Sequence, residues 1–347
     1  MSTIHAAILD EWGGELTVRE VDRPEPGPGE ARVEVRACGV TRTIENAIQG
    51  GLSDDPDLTP RIPGHEFAGV VDAVGEGVDP DRVGERVLAY FYLTCGECDA
   101  CRRGDTAQCT DFGGWFGVNS DGAYAESTVL PAENALPLPD AASFAEGAVA
   151  ADGVATPIHV CERADVTDAD TVLVVGAAGR IGYHLAQVAG LRGAQVLAAD
   201  VTDERLAHAE TAGEHVTAVD ARRDDLSAAL TDATPHGDGP TVVVDTVGDR
   251  DTLHDAWDAL AMGGRVVSLT THHDRVFDVP MKEYVVKEAS FIGSRYATRD
   301  EVVRAARLVA DGRVDADVGE SLSLDEVPDY HRRLRTGETS GMGVLEP

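Results

Sequence analysis

The chain has 347 residues, enough for about two domains with cores of their own, and its hydrophobic content of 43% is that of an ordinary globular protein. It carries 62 acidic against 29 basic side chains, a net charge of −33, and Lys282 and Lys287 are its only lysines. Acids spread along the whole chain repel nucleic acid and anionic membranes, which excludes those partners, and no apolar run reaches the roughly 18 residues of a membrane span. The acidity reads as adaptation to high intracellular salt, where screening removes most self-repulsion. It describes where the protein works, not what it does.

In chain order, Met1–Asp10 lacks the basic and long apolar regions of a signal peptide and reads as a first strand. A cytoplasmic protein is therefore expected, and its six cysteines suit a reducing compartment. Up to about residue 140 short strand patterns dominate, such as Ala31–Arg36, with alternating apolar positions, and Gly69–Val74; Pro24–Gly29 is a turn between strands. From about residue 150 strands and helices alternate. Strands are predicted at Thr171–Gly176, Ala194–Asp200, His215–Asp220, Thr241–Thr246, Arg265–Thr270 and Ser290–Ser294. Helices are predicted among them at Ile181–Leu191, Asp203–Ala212, Thr252–Ala261 and Met281–Lys287. Six strands with short helical crossovers describe a doubly wound parallel sheet, hence an α/β protein. The amphipathic Glu301–Ala310 no longer fits that repeat, so the last 50 or so residues are expected to return to the first domain. The expected division is 1–147 with 295–347, and 148–294.

Cys95, Cys98, Cys101 and Cys109 follow the spacing C-x2-C-x2-C-x7-C within a lobe at about 93–112. Four thiolates so spaced can surround one Zn2+ and leave no open position, which makes the site structural rather than catalytic. Disulfide pairing is the weaker alternative, because nothing else in the chain looks secreted.

The strand Val172–Val175 runs into Gly176-Ala-Ala-Gly179-Arg-Ile-Gly182 and then a helix. A glycine-rich turn at a helix N-terminus offers free N–H groups to a pyrophosphate. In the G-x-G-x-x-G register Ala177 takes the first position, Gly179 allows close approach of the phosphates, and Gly182 allows tight helix packing. Asp200, closing the second strand, is placed to accept from ribose hydroxyls and to repel a 2′-phosphate, which favours NAD; Arg205 leaves NADP tolerated. Candidate coenzyme contacts are Gly176, Ala178, Gly179, Arg180, Ile181, Gly182, Asp200, Arg205, Thr246 and Val247.

Gly64-His-Glu-Phe-Ala-Gly69, the cysteine lobe, Asp121-Gly-Ala-Tyr-Ala-Glu126, the dinucleotide turn and Asp152–Thr156 together resemble the zinc-containing medium-chain alcohol and polyol dehydrogenases. The resemblance covers nearly the whole chain. It implies a GroES-like β-rich catalytic domain built from both chain ends, a Rossmann domain, and hydride transfer between an alcohol and a nicotinamide. It also implies a small-molecule substrate and a homodimer or homotetramer pairing near Phe291–Ser294. A catalytic zinc would be held by His65 and Asp152, with Glu66 beside them, while Thr41 stands where relatives have a ligand cysteine. An alternative register using Cys38 makes the distance to Gly50 three residues too long for the family pattern. Two carboxylates and a neutral imidazole still supply the two negative charges of a Cys–His–Cys site. Thr43 matches the hydroxyl that passes the substrate proton onward, and Asn46 replaces the histidine that often ends that relay. Gly113–Phe116 either lines the substrate region or packs under the cysteine lobe.

Thr41 and the Ala-Ala-Gly-x-x-Gly form of the turn also motivate a second reading, a zinc-independent reductase of an enone, quinone or enoyl thioester. The third is a cofactor-binding protein without catalysis or a zinc-ribbon nucleic-acid module, the latter opposed by the net charge of −33.

Overall fold

The computed structural model describes residues 2–270, 275–339 and 342–347; Met1, at the head of the expected first strand, lies outside them. β1 (Thr3–Leu9) and β2 (Leu16–Asp22) form an antiparallel hairpin. β3 (Glu30–Val40) then runs straight into α1 (Arg42–Ile48). There follow β4 (Phe67–Val74), β5 (Arg86–Ala89), β6 (Tyr92–Thr94), α2 (Asp99–Arg102), β7 (Phe112–Trp115), β8 (Ser127–Pro131), β9 (Ala135–Pro137) and α3 (Phe144–Val149). Ser143 caps α3 through a reciprocal box with Glu146. The helix then widens into a π-helical turn, Ala150–Val154, before α4 (Ala155–Arg163). Such turns gather at functional sites, and this one carries Asp152.

The alternating part holds β10 (Thr171–Val175), α5 (Arg180–Leu191), β11 (Gln195–Asp200), α6 (Asp203–Glu210), β12 (Val216–Asp220) and α7 (Leu226–Asp232). It continues with β13 (Val242–Asp245), α8 (Arg250–Ala259), β14 (Arg265–Ser268), α9 (Met281–Lys287) and β15 (Ser290–Gly293). The chain ends with α10 (Arg299–Ala310), β16 (Val318–Leu322), α11 (Val327–Thr336) and β17 (Met342–Leu345).

Two compact units result, Met1–Ala155 with Ala297–Pro347, and Thr156–Tyr296. In the first, a seven-stranded sheet runs β16-β17-β3-β4-β5-β9, with β8 also paired to β3. In the second, six parallel strands run β12-β11-β10-β13-β14-β15. Central strands covered on both faces need continuous apolar runs, and Val172–Val175 and Val242–Val244 supply them. Leu173, Leu197, Val243 and Val266 join Leu226, Leu230 and Trp257 in one core. The six strands expected for the parallel sheet match within about two residues, whereas β3 runs four residues past the expected Arg36. α8 starts two residues before its predicted Thr252, because Asp249 accepts the Thr252 N–H and so caps the helix earlier. α7 falls in a stretch for which no helix was named. Among the described residues no helix is long and apolar enough to cross a membrane.

The foot of the parallel sheet holds a buried charge, Asp170. Burial pushes its carboxyl up, but bonds from the Thr241 hydroxyl and the Thr167 N–H, with the Arg265 guanidinium, bring it below its ordinary 3.8. The folded state thus prefers the ionised form. The resulting stability is complete above the unfolded pKa and disappears as pH falls through the lower folded one. Asp170→Asn is expected to cost about 2 kcal/mol at pH 7 and to flatten the loss of stability below about pH 4, as read by urea unfolding across pH.

Candidate active site

The cysteine lobe is local. β6 delivers Cys95, Cys98 caps α2, Cys101 lies within α2, and Cys109 precedes β7. Backbone N–H groups of Cys98, Cys101 and Cys95 donate to Sγ of Cys95, Cys98 and Cys109 at 3.3, 3.5 and 3.4 Å. Sγ of Cys95 lies 3.6 Å from that of Cys109 and 4.0 Å from that of Cys101. A tetrahedron with Zn–S of about 2.3 Å has S···S edges of about 3.8 Å, so the donors fit zinc and are too far apart for disulfides. N–H donors, led by that of Cys101, bring the Cys98 thiol down to about 5, whereas burial and the adjoining thiols push Cys101 up to about 12. Four thiols this close ionise together only around a cation.

The second cluster draws on distant stretches of the first unit. Gly64 has φ +99°, and a Cβ there would stand 2.5 Å from the Tyr124 ring, so only glycine allows the turn that presents His65. His65 and Glu66 lead into β4, and the π-helical turn brings Asp152. Their ligand atoms all lie within 4.8 Å of one another, and all three residues are buried. His65 Nε2 stands 3.2 Å from Glu66 Oε1 and 3.7 Å from Asp152 Oδ2, and its ring meets the edge of Phe91 at 4.3 Å. Among the described residues, neither ring nitrogen of His65 has a partner at hydrogen-bond geometry. Burial lowers the imidazole's proton affinity, but the carboxylates of Asp152 and Glu66 outweigh it, and the net shift is upward. Two buried carboxylates around an unsatisfied imidazole make a place suited to positive charge, and the donor set fits a divalent cation.

Thr41 lies buried at the N-cap of α1, where its Oγ1 accepts the Ile44 N–H at 3.3 Å. Cys38 is not part of the cluster: it is buried in β3, and burial pushes its thiol well up. Thr43 and Asn46, one helical turn apart on α1, are both exposed. Phe116 packs at a tilt on Phe67, with ring centroids 5.4 Å apart, and Trp115 meets Phe112 edge to face, also at 5.4 Å. Sequence reasoning gave no role to Tyr124, His331 or Glu45, which meet in the buried interior of this unit.

In the second unit the tight turn after β10 belongs to Gly176, with φ +79°, rather than to Ala177. A Cβ on Gly176 would reach 2.5 Å from Val247 and 2.7 Å from the Thr246 hydroxyl, which itself donates to the Val175 carbonyl at 2.7 Å. A Cβ on Gly182 would come within 2.3 Å of the Gly176 carbonyl, so α5 packs as close as expected. Gly179 caps α5 with Arg180 and Ile181 next in line. Asp200 accepts from the Ala178 and Val201 N–H groups, each at 2.9 Å, and from Arg205 Nε and Nη2 at 2.6 and 3.2 Å. Asp245, also without a role in the sequence reading, shapes the 246–248 turn by accepting the Val247 and Gly248 N–H groups at 3.0 and 2.8 Å.

Residues 27–140 match the family model of the alcohol dehydrogenase GroES-like domain, and residues 181–311 that of the zinc-binding dehydrogenases. An alcohol dehydrogenase of Geobacillus stearothermophilus is 30% identical over 98% of this chain and 99% of its own length. The acryloyl-coenzyme A reductase of Metallosphaera sedula is 29% identical, covering 94% of this chain and 95% of its own. An alcohol dehydrogenase (rspB) of Escherichia coli CFT073, solved with NADH, superposes with a TM-score of 0.90 at 27% identity, over 100% of both chains. Matches that run through both units leave one conclusion: this chain belongs to the zinc-type medium-chain dehydrogenase/reductase family and is an NAD(P)-dependent oxidoreductase.

Proposed function

We propose that the protein oxidises an alcohol, polyol or sugar hydroxyl with NAD, using a zinc held by His65, Asp152 and Glu66. The observation that carries this reading is the convergence of those three donors within 4.8 Å. A bound zinc would act as a Lewis acid, lowering the pKa of the substrate hydroxyl. His65 and the two carboxylates balance its charge without the missing cysteine. Thr43 Oγ1 is assigned to take up the substrate proton, and Asn46, which cannot carry a proton onward, leaves direct exchange with water as the exit. The four cysteines of the lobe are assigned to a second, structural zinc.

On the coenzyme side, the four acceptor positions of the Asp200 carboxylate are already matched by four donors. NAD ribose hydroxyls therefore compete with Arg205 for Asp200, and a displaced guanidinium becomes available to a 2′-phosphate. NAD is the favoured coenzyme and NADP a tolerated one. Arg205→Ala is expected to raise KM for NADP about tenfold and to leave KM for NAD unchanged or lower, as measured in parallel assays. A homodimer or homotetramer through the β15 edge is supported by exposed Phe291, Val285, Val286 and Met281.

Zinc per chain tests the reading, on protein purified in high salt without chelator. Two per chain, with turnover of secondary alcohols, supports it. One per chain even after zinc add-back favours reduction of an activated C=C bond, a reading supported by the capping role of Thr41 and by the acryloyl-coenzyme A reductase relative.

A further inference from the structure

Three buried polar side chains from separate stretches of the first unit meet outside the reacting cluster. His331 of α11 approaches Glu45 Oε2 through Nδ1 at 2.8 Å and the Tyr124 hydroxyl through Nε2 at 3.1 Å. Tyr124 is 0% exposed, His331 2% and Glu45 6%. Arg335, one turn further along α11, reaches Glu45 Oε1 at 3.1 Å. Burial pushes the Glu45 carboxyl up, but His331 and Arg335 outweigh this and keep it ionised. An ionised carboxylate only accepts, so His331 Nδ1 carries hydrogen and donates to Glu45, while Nε2 is bonded to the Tyr124 hydroxyl.

Each member of this network grips a segment that leads to the site. Tyr124 is tied to the two residues before His65: its N–H donates to the Pro63 carbonyl at 2.9 Å, and its ring fills the space that a side chain on Gly64 would need. Its hydroxyl also lies 3.4 Å from the Gly39 carbonyl, two residues before Thr41, and the Gly39 N–H donates to the Glu66 carbonyl at 2.7 Å. Glu45 is on the buried face of α1, and Thr43 and Asn46 are on the exposed face. Apolar residues of similar volume would hold such a core equally well. Directional bonds add a fixed placement of one segment against another.

We propose that Tyr124 and His331 are positioning residues that fix α1, and with it Thr43, relative to His65. The inference rests on the reading above in taking Thr43 and His65 as parts of one reacting centre. It adds that the C-terminal helix α11, which carries neither, sets the distance between them.

Two variants test it. Tyr124→Phe removes one oxygen and keeps the ring on Gly64; His331→Asn keeps a donor toward Glu45 and loses the bond to Tyr124. Both are compared with wild type on the substrate class that wild type turns over, alcohol or enone, with rates normalised to sites that bind NADH. Zinc per chain and thermal midpoint are recorded alongside. The expected result is a fall in kcat of about tenfold in both, with KM for coenzyme and zinc content unchanged. Adding His331→Ala, which loses both bonds, should lower kcat further than His331→Asn does. A kcat within about threefold of wild type in both Tyr124→Phe and His331→Asn, whatever happens to the midpoint, overturns the proposal and leaves the network a purely structural one. If wild type reduces only enones, the alcohol reading falls, and the variant-to-wild-type ratios still decide the positioning role.

Discussion

Replacing His65 by alanine is expected to lower kcat by about a thousandfold and to remove one zinc per chain. If the proposed centre supplies about 4 kcal/mol of transition-state stabilisation, its loss corresponds to roughly three powers of ten. The substitution also deprives Glu66 and Asp152 of the nitrogen between them. Two buried carboxylates then share one pocket without the imidazole, which favours uptake of a proton by one of them. Binding of NADH, followed by fluorescence, should be unaffected, because the Gly176–Gly182 turn and Asp200 belong to the other unit. Full alcohol turnover in His65→Ala would remove the metal from the mechanism and overturn the zinc reading.

The second large effect is expected in the lobe. Cys109→Ser keeps an acceptor for the Cys95 N–H, which now lies 3.4 Å from Sγ, but replaces a soft thiolate with a hydroxyl that stays neutral. The remaining three thiols cannot close a tetrahedron, and loss of a structural metal is among the few single changes that cost about 4 kcal/mol or more. A fall in thermal midpoint of about 10 °C follows. Calorimetry in high salt reads it, and metal analysis should show one zinc fewer per chain. An unchanged midpoint with full zinc would mean that the four cysteines are not its ligands.

What could be read beforehand depended on how far apart the partners lie in the chain. The cysteine lobe was legible because its four thiols lie within 14 positions of one another and the spacing itself encodes their approach. The parallel sheet was legible because strands buried on both faces must be continuous apolar runs, as in Val172–Val175. The register of the glycine turn was less so: which residue takes positive φ depends on Val247 and Thr246, brought in from another strand. The π-helical turn under Asp152 left no trace in a helical pattern that continues on both sides of it. The Tyr124–His331–Glu45 network was invisible for a plainer reason. Its contacts join residues 207 and 286 positions apart, and no motif marks His331 or Glu45.

The pairing of β17 with β3 bears on how this protein is made. Gly343, Val344 and Leu345 lie opposite Val40, Gly39 and Cys38, the residues that lead into Thr41. All six strands of the parallel sheet fall between residues 171 and 293. On a ribosome adding one residue at a time, the parallel sheet can be completed first, whereas the strand beside the proposed reaction centre keeps an unpaired rim. Such a rim is a template for a neighbouring nascent chain. The interval between the synthesis of residue 40 and that of residue 345 is therefore when the protein is most exposed to misassembly, and β17 is the segment that ends it.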